Sequence, residues 1–330
     1  MKLNIVLGRN LLIACAISVG IMQSLSGQLP AQAQAQAPTQ SSSTWHHYNH
    51  IGLQAIEQGN YAEAEKDFRA GLAIVEKSEP ESVGVAVMLD SLALVYLKPG
   101  PHQAAEQLYK HSLDIREKAF GHDSLEVANS LDRLAALYME SNKPLQAAPL
   151  YERSLSIREK DLGASDISVA NTANELAMIY LTPGQYAKAE KYAQLAVAIN
   201  EKSFGVNDPV VAAHLDQLAL IYQTEKKYPQ AEGTFKRALA IREKAEVAPT
   251  KIALSMDYLA DVYLTEGKRA DAEILYQRAA AIGEVSAMSP SQKVMFTTSL
   301  KSLAHLYRGE GKKAEAEKIE ARVKSITSRS

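Results

Sequence analysis

Few side chains in this sequence are spaced for catalysis or metal binding. His46 and His50 are four residues apart and could share a helical face as metal ligands, but no third ligand is evident. Asp257 and Asp261 are also four residues apart. General acid–base catalysis by this pair would require a closed pocket that raises the pKa of one of them. The segment Gly309-Glu310-Gly311 superficially suggests a phosphate loop, but it follows a predicted helix and indicates a helix breaker.

Other signatures of an enzyme are absent from the sequence. The only cysteine is Cys15, and there is no G-x-S-x-G, HExxH or P-loop motif. We therefore predict a non-catalytic protein without a cofactor or a bound metal. The 36 basic and 38 acidic residues give a formal charge of −2, so the basic excess that neutralises phosphates is missing, and no nucleic-acid partner is expected.

The first 37 residues have the three parts of a secretory signal peptide. Lys2 and Arg9 supply the charged start, and residues 11–22 form an apolar run of 12. Small-x-small cleavage sites follow, the last being Ala35-Gln36-Ala37. The apolar run is too short for an ordinary transmembrane helix, so we expect no membrane span after cleavage. The sequence predicts a periplasmic or secreted protein whose signal peptide spans residues 1–37.

Two alternatives remain open for this N-terminal segment. The first is an uncleaved anchor, because length alone does not prove cleavage. The second is a lipoprotein, because Leu12-Ile13-Ala14-Cys15 resembles a bacterial lipobox that would place a lipid on Cys15. The apolar run continues well beyond Cys15, which ranks the lipoprotein second to ordinary export. Residues 38–44 are polar and lack an apolar period, so they are predicted to form a disordered linker.

Internal repeats of about 42 residues fill the remainder of the chain. Each copy has an apolar residue followed by a small one, in six copies a tyrosine three residues further on, and later an alanine. The pairs are Ile51-Gly52, Leu92-Ala93, Leu134-Ala135, Leu176-Ala177, Leu218-Ala219, Leu259-Ala260 and Leu303-Ala304; the tyrosines are Tyr96, Tyr138, Tyr180, Tyr222, Tyr263 and Tyr307; the alanines are Ala64, Ala105, Ala147, Ala189, Ala231, Ala272 and Ala316. These alanines are spaced by 41, 42, 42, 42, 41 and 44 residues.

The apolar residues within each copy recur at the i, i+3, i+4 and i+7 spacing of an amphipathic helix. The small residues allow two helices to approach closely, and an aromatic residue four after the alanine fills the space toward the next copy. A single hairpin cannot bury its apolar stripe, so neighbouring copies must stack. The sequence therefore predicts an all-α solenoid over residues 45–330, with repeats at about 45–78, 79–120, 121–162, 163–205, 206–246, 247–286 and 287–330.

These repeats resemble the tetratricopeptide (TPR) family. The 42-residue period and the linker sequences REKAFGHDSLEVA, REKDLGASDISVA and NEKSFGVNDPVVA are similar to the kinesin-light-chain type of repeat. The resemblance implies a right-handed superhelix of about seven helix hairpins, with a concave groove lined by the first helices. In the family this groove holds extended peptides or partner helices. The paired asparagines common in kinesin light chains are replaced here, for example by Asp90-Ser91 and Asp132-Arg133.

The residues two before each signature apolar residue lie off the buried stripe and are expected to face the groove. We call them the polar ladder: Asn49, Asp90, Asp132, Asn174, Asp216, Asp257 and Lys301. One turn further on, Met178, Leu220, Asp261 and His305 are expected to line the same surface. The acids favour a basic partner segment. An equally open alternative is that these side chains only solvate a helix face.

The function predicted from these features is a protein-interaction scaffold or adaptor of the cell envelope, which binds an extended peptide or a partner helix. An alternative is a glycan-binding accessory protein in envelope or exopolysaccharide assembly, since tyrosines can stack on sugars. The signature tyrosines are expected on the buried stripe, which favours the protein partner.

Overall fold

The computed structural model describes residues 40–97, 102–245, 247–282 and 290–328, and these form fourteen α-helices without a β-strand. The helices are α1 (Gln40–Glu57), α2 (Tyr61–Ser78), α3 (Val83–Leu97), α4 (His102–Phe120), α5 (Leu125–Glu140), α6 (Pro144–Leu162), α7 (Ile167–Ile179), α8 (Tyr186–Phe204), α9 (Pro209–Thr224), α10 (Tyr228–Lys244), α11 (Pro249–Thr265), α12 (Arg269–Ile282), α13 (Pro290–Gly309) and α14 (Lys313–Thr327). The predicted signal peptide, residues 1–37, lies outside the described residues.

The helices belong to two compact units, the first ending at Ile179 and the second beginning at Tyr180. Unit 1 contains α1–α7, and unit 2 contains α8–α14. Within each unit, helices pack against their neighbours in sequence, and α1 also contacts α3, as α11 contacts α13. This packing of sequential helix hairpins is an all-α repeat solenoid, as predicted.

The repeated small and aromatic residues form the core. All seven signature alanines of the second helices are completely buried. The aromatic residues four positions later are buried as well; they are Phe68, Tyr109, Tyr151, Phe235 and Tyr276. In the first repeat, a Cβ added to Gly52 would lie 2.4 Å from Cε1 of Phe68. In this repeat, the missing side chain of Gly52 is therefore needed for close packing of the second helix.

The first helix begins at Gln40, although residues 38–44 were predicted to be a disordered linker. Trp45 is 8% exposed and anchors this end of the helix in the core of the first repeat. The preceding serine-rich turn is helical in the structure, and serine is well tolerated where a helix starts. The prediction is wrong for residues 40–44, and residues 38 and 39 lie outside the described part of the chain.

The signature tyrosines link consecutive repeats. In unit 1 the Tyr138 hydroxyl donates to Glu106 Oε1 at 3.0 Å, and Lys143 lies 5.7 Å from the Tyr138 ring centroid. In unit 2, lysines lie over four further tyrosine rings, namely Lys188 over Tyr180, Lys227 over Tyr222, Lys268 over Tyr263 and Lys312 over Tyr307. The rings of Tyr222 and Tyr263, like Tyr96, are partly exposed and not fully buried as expected. In these four pairs and in Tyr138, a lysine lies over one face of the tyrosine ring.

Candidate functional site

The polar ladder of unit 1 lies between helices and not on an open surface. Asp90 is 9% exposed, and its Oδ2 accepts hydrogen bonds from Arg116 Nη2 at 2.8 Å and Arg133 Nη1 at 2.9 Å. Asp132 Oδ2 accepts from Arg158 Nη2 at 2.7 Å, and Arg158 also donates to Asn129 Oδ1 at 2.6 Å. Asp90 and Asp132 are therefore each neutralised by an arginine from the second helix of their own hairpin.

The same ion pair occurs in unit 2, between Asp216 Oδ2 and Arg242 Nη1 at 2.6 Å. Both side chains are less than 10% exposed, and Arg242 also donates to the Ser255 hydroxyl. Burial raises the pKa of Asp216 to about 6, and the Arg242 guanidinium opposes this rise. The carboxylate is thus ionised at neutral pH, and the pair fixes α9 against α10.

The ladder residues Asn49 and Asp257 also form internal hydrogen bonds. Asn49 Oδ1 accepts from the Ser91 hydroxyl at 2.7 Å, and Asp257 Oδ2 accepts from the Ser299 hydroxyl at 2.5 Å. Asn174 and Asp257 are buried, as is the predicted groove residue Leu220. Asp261 accepts a hydrogen bond from the Tyr276 hydroxyl.

The expectation that this ladder lines an open groove is therefore wrong for Asp90, Asn174, Asp216, Leu220 and Asp257. The sequence pattern identifies the face of the first helix that lies off the apolar stripe. It does not show that the arginines of the second helices and the next first helix cover that face.

Of the predicted groove residues, Lys301 and His305 are exposed, and Asn49, Asp132, Met178 and Asp261 are partly exposed. Met178 lies in α7, while Lys301 and His305 lie in α13. The last two are four residues apart and share one helix face. Met178 belongs to unit 1, and Lys301 and His305 belong to unit 2.

The accessible face of the first helices in unit 1 is offset from the polar ladder by about one residue around the helix axis, and it includes the predicted Met178. We call it the first-helix surface of unit 1, and its residues are Val87 and Leu94 in α3, Asn129, Arg133 and Ala136 in α5, and Asn171, Glu175 and Met178 in α7. Within α5 and α7 these positions follow the i, i+4, i+7 spacing of a single face. Sequence reasoning missed Asn129, Asn171 and Glu175, although their 42-residue register was visible.

Glu175 is the one acidic side chain among the residues that define this surface. It follows Arg133 by 42 residues, but where Arg133 binds the carboxylate of Asp90, Glu175 lies near Asp132 and repels it. Burial, with Asp132 as a second cause, raises the pKa of Glu175 to about 7. The surface therefore carries an acidic group that no basic residue within the described part of unit 1 neutralises.

The described residues contain no group of three or more His, Cys, Asp or Glu side chains placed to hold a metal ion. Of the two histidines considered as ligands, His46 stacks on Trp45 with ring centroids 3.7 Å apart. His50 Nε2 forms a hydrogen bond with Gln54 at 3.2 Å. Over the same residues, none of the helices has both the length and the apolar character that crossing a membrane requires.

Helix hairpins in tandem, with alanines buried at a 41- to 44-residue spacing, define the protein as an all-α repeat solenoid. A family model described as "Tetratricopeptide repeat" matches residues 42–118, 85–160 and 168–244. The chain therefore belongs to the tetratricopeptide repeat family.

Several solved structures share the fold. A Podospora anserina putative kinesin light chain with nearly identical TPR-like repeats is 23% identical (TM-score 0.57, 64% of this chain and 100% of that chain). BtubC (BKLC) from P. vanneervenii is 22% identical (TM-score 0.58, 77% and 96%). A tetratricopeptide repeat protein from Parabacteroides merdae is 16% identical (TM-score 0.57, 86% and 93%). No curated protein matches the chain. These similarities establish the fold, including its likeness to kinesin-light-chain repeats.

Proposed function

We propose that this protein is a non-catalytic scaffold of the cell envelope that binds an extended peptide or a partner helix. The observation that supports this most directly is the first-helix surface of unit 1. It combines apolar side chains with the exposed amide of Asn171 and the unneutralised acid Glu175. Apolar contacts and side-chain amides suit an extended chain, whose backbone presents both donors and acceptors.

A basic partner segment is part of this proposal, but for a reason that differs from the polar ladder. Asp90 and Asp132 are already paired with arginines and offer no free charge. Glu175 has no hydrogen-bond or ion-pair partner among the described residues, so a lysine or arginine of the partner would supply its countercharge. The glycan-binding alternative loses support, because lysines lie over the rings of Tyr138, Tyr222, Tyr263 and Tyr307.

Selection of peptides from a random display library on residues 38–330 tests this proposal. We expect the selected peptides to contain basic residues. At pH 8 the Glu175→Lys variant should bind these peptides at least tenfold more weakly than the wild type, because a charge-assisted contact contributes about 1.5–3 kcal/mol. Lysine suits this position structurally, since arginine occupies the equivalent position 133. Glu159→Lys, on an exposed position of α6, is the matched control and should bind like the wild type. Equal binding by all three proteins, or no selected peptide, would contradict the assignment.

Export is the second part of the proposal, and the N-terminus of the protein isolated from its host tests it. We expect a mature chain that begins at Pro38 in the envelope or medium, because Ala35-Gln36-Ala37 is the last small-x-small site. Cys15→Ser should leave processing unchanged. Loss of processing in that variant would show a lipoprotein instead, and an intact Met1 in the cytoplasm would reject export.

A further inference from the structure

A cavity of about 300 Å³ in unit 2 is lined by residues of α8, α9 and α10. Its floor consists of the buried apolar residues Val197, Leu215 and Leu218, and its wall includes Gly233 of α10. A Cβ added to Gly233 would meet nothing within 4 Å. Glycine in the interior of an exposed helix is unfavourable relative to alanine, and no close packing requires it here. Its effect is to leave the apolar floor open.

The repeat register identifies what is missing from this cavity. Gly233 stands two residues after the signature alanine Ala231, and in the next repeat Ile274 stands two residues after Ala272. Ile274 is 55% exposed, one of the most exposed large apolar side chains among the described residues. One unit therefore carries an open apolar cavity and a projecting apolar side chain at equivalent positions of adjacent repeats.

The charges around both features are paired within the chain. Arg237, at the rim of the cavity, lies 2.6 Å from Glu201 and donates to the Val206 carbonyl oxygen. Arg278, one turn beyond Ile274, lies 2.9 Å from Glu243. When a surface meets an identical surface, like charges approach each other and repel unless each is neutralised within its own chain. Arg237 and Arg278 are neutralised in this way by Glu201 and Glu243.

We propose that unit 2 carries a self-association surface, at which Ile274 of one copy fills the Gly233 cavity of a second copy of this chain. Two-fold symmetry satisfies both contacts at once, because each copy supplies one projecting side chain and one cavity. Gly233 and Ile274 both lie on second helices of unit 2, in α10 and α12. The contact is small, and we therefore expect a reversible, concentration-dependent dimer.

Sedimentation of residues 38–330 over roughly 1–200 µM tests this proposal, since weak dimers populate in that range. The wild type should shift from monomer to dimer. Gly233→Leu fills the cavity and Ile274→Lys removes the apolar side chain, and each alone should weaken association at least tenfold. Lys191→Leu places the same leucine at the equivalent position of α8 and should leave association unchanged.

A mixture of the two variants provides a stricter measurement. In a mixed dimer, the Gly233→Leu copy supplies Ile274 to the intact cavity of the Ile274→Lys copy, so one of the two contacts is restored. The mixture should therefore associate more tightly than either variant alone, with unchanged helix content by circular dichroism in all samples. A monomeric wild type, undisturbed association in either variant, or a mixture no tighter than its components would overturn the proposal.

Discussion

Asp216→Ala is expected to lower the free energy of unfolding of unit 2 by about 3–5 kcal/mol, because it leaves the buried guanidinium of Arg242 without a countercharge. The residual contact with Ser255 cannot replace an ion pair of 2.6 Å between side chains that are less than 10% exposed. Urea denaturation measures the loss, and hydrogen exchange followed by mass spectrometry should locate it in α9 and α10.

The chain itself provides the control for this experiment. In the preceding repeat, the positions equivalent to Asp216 and Arg242 are Asn174 and Asn200, so both charges are absent together. The double substitution Asp216→Asn/Arg242→Asn should therefore recover most of the stability lost in Asp216→Ala, because no unpaired charge remains buried. A double variant as unstable as Asp216→Ala would show that the ion pair is not the source of the effect.

Glu175→Gln is expected to stabilise unit 1 at pH 8 and to have little effect at pH 5. The pKa of Glu175 rises from 4.5 to about 7 on folding, so the folded chain keeps a proton that the unfolded chain releases. Stability therefore falls as the pH rises from about 5 to about 8. The full shift corresponds to about 3 kcal/mol, and partial exposure of the side chain reduces it to roughly 1–2 kcal/mol.

Denaturation of the wild type and the variant at both pH values measures this effect. Asp132, whose pKa burial also raises, is present in both proteins, so the comparison isolates Glu175. Glu159→Gln removes one exposed negative charge from the same unit and controls for net charge. A gain in stability for Glu175→Gln that is equal at pH 5 and pH 8 would contradict a protonated Glu175 in the folded state.

The sequence predicted the fold because the packing residues recur in register. Ala231 and Phe235 are buried in unit 2 as their counterparts Ala64 and Phe68 are in unit 1. Such residues report on local helix–helix contacts, and one repeat predicts the next. The start of α1 was less predictable, because nothing in the serine-rich turn itself shows that Trp45 is buried after it.

The site was harder to predict, since periodicity identifies a helix face without showing what covers it. Asp90 was assigned to a groove, but Arg116 and Arg133 reach it from two other helices. The sequence did contain a signal of this pairing. Asp216 and Arg242 are both replaced by asparagine at the equivalent positions Asn174 and Asn200, and this joint replacement indicates a charge pair in the other repeats. Comparing Glu175 with Arg133 in the same register would likewise have identified the unneutralised acid.

Packing between sequence neighbours has a consequence for how the chain acquires its structure. Within each unit, every substantial contact joins helices that are adjacent or next-but-one along the chain. Loop closure over such short separations is entropically inexpensive, and proteins with mainly local contacts fold quickly. A hairpin that leaves the ribosome or an export channel therefore has its packing partner already beside it. The order of synthesis is thus also a workable order of assembly, from Trp45 towards the C-terminal helix.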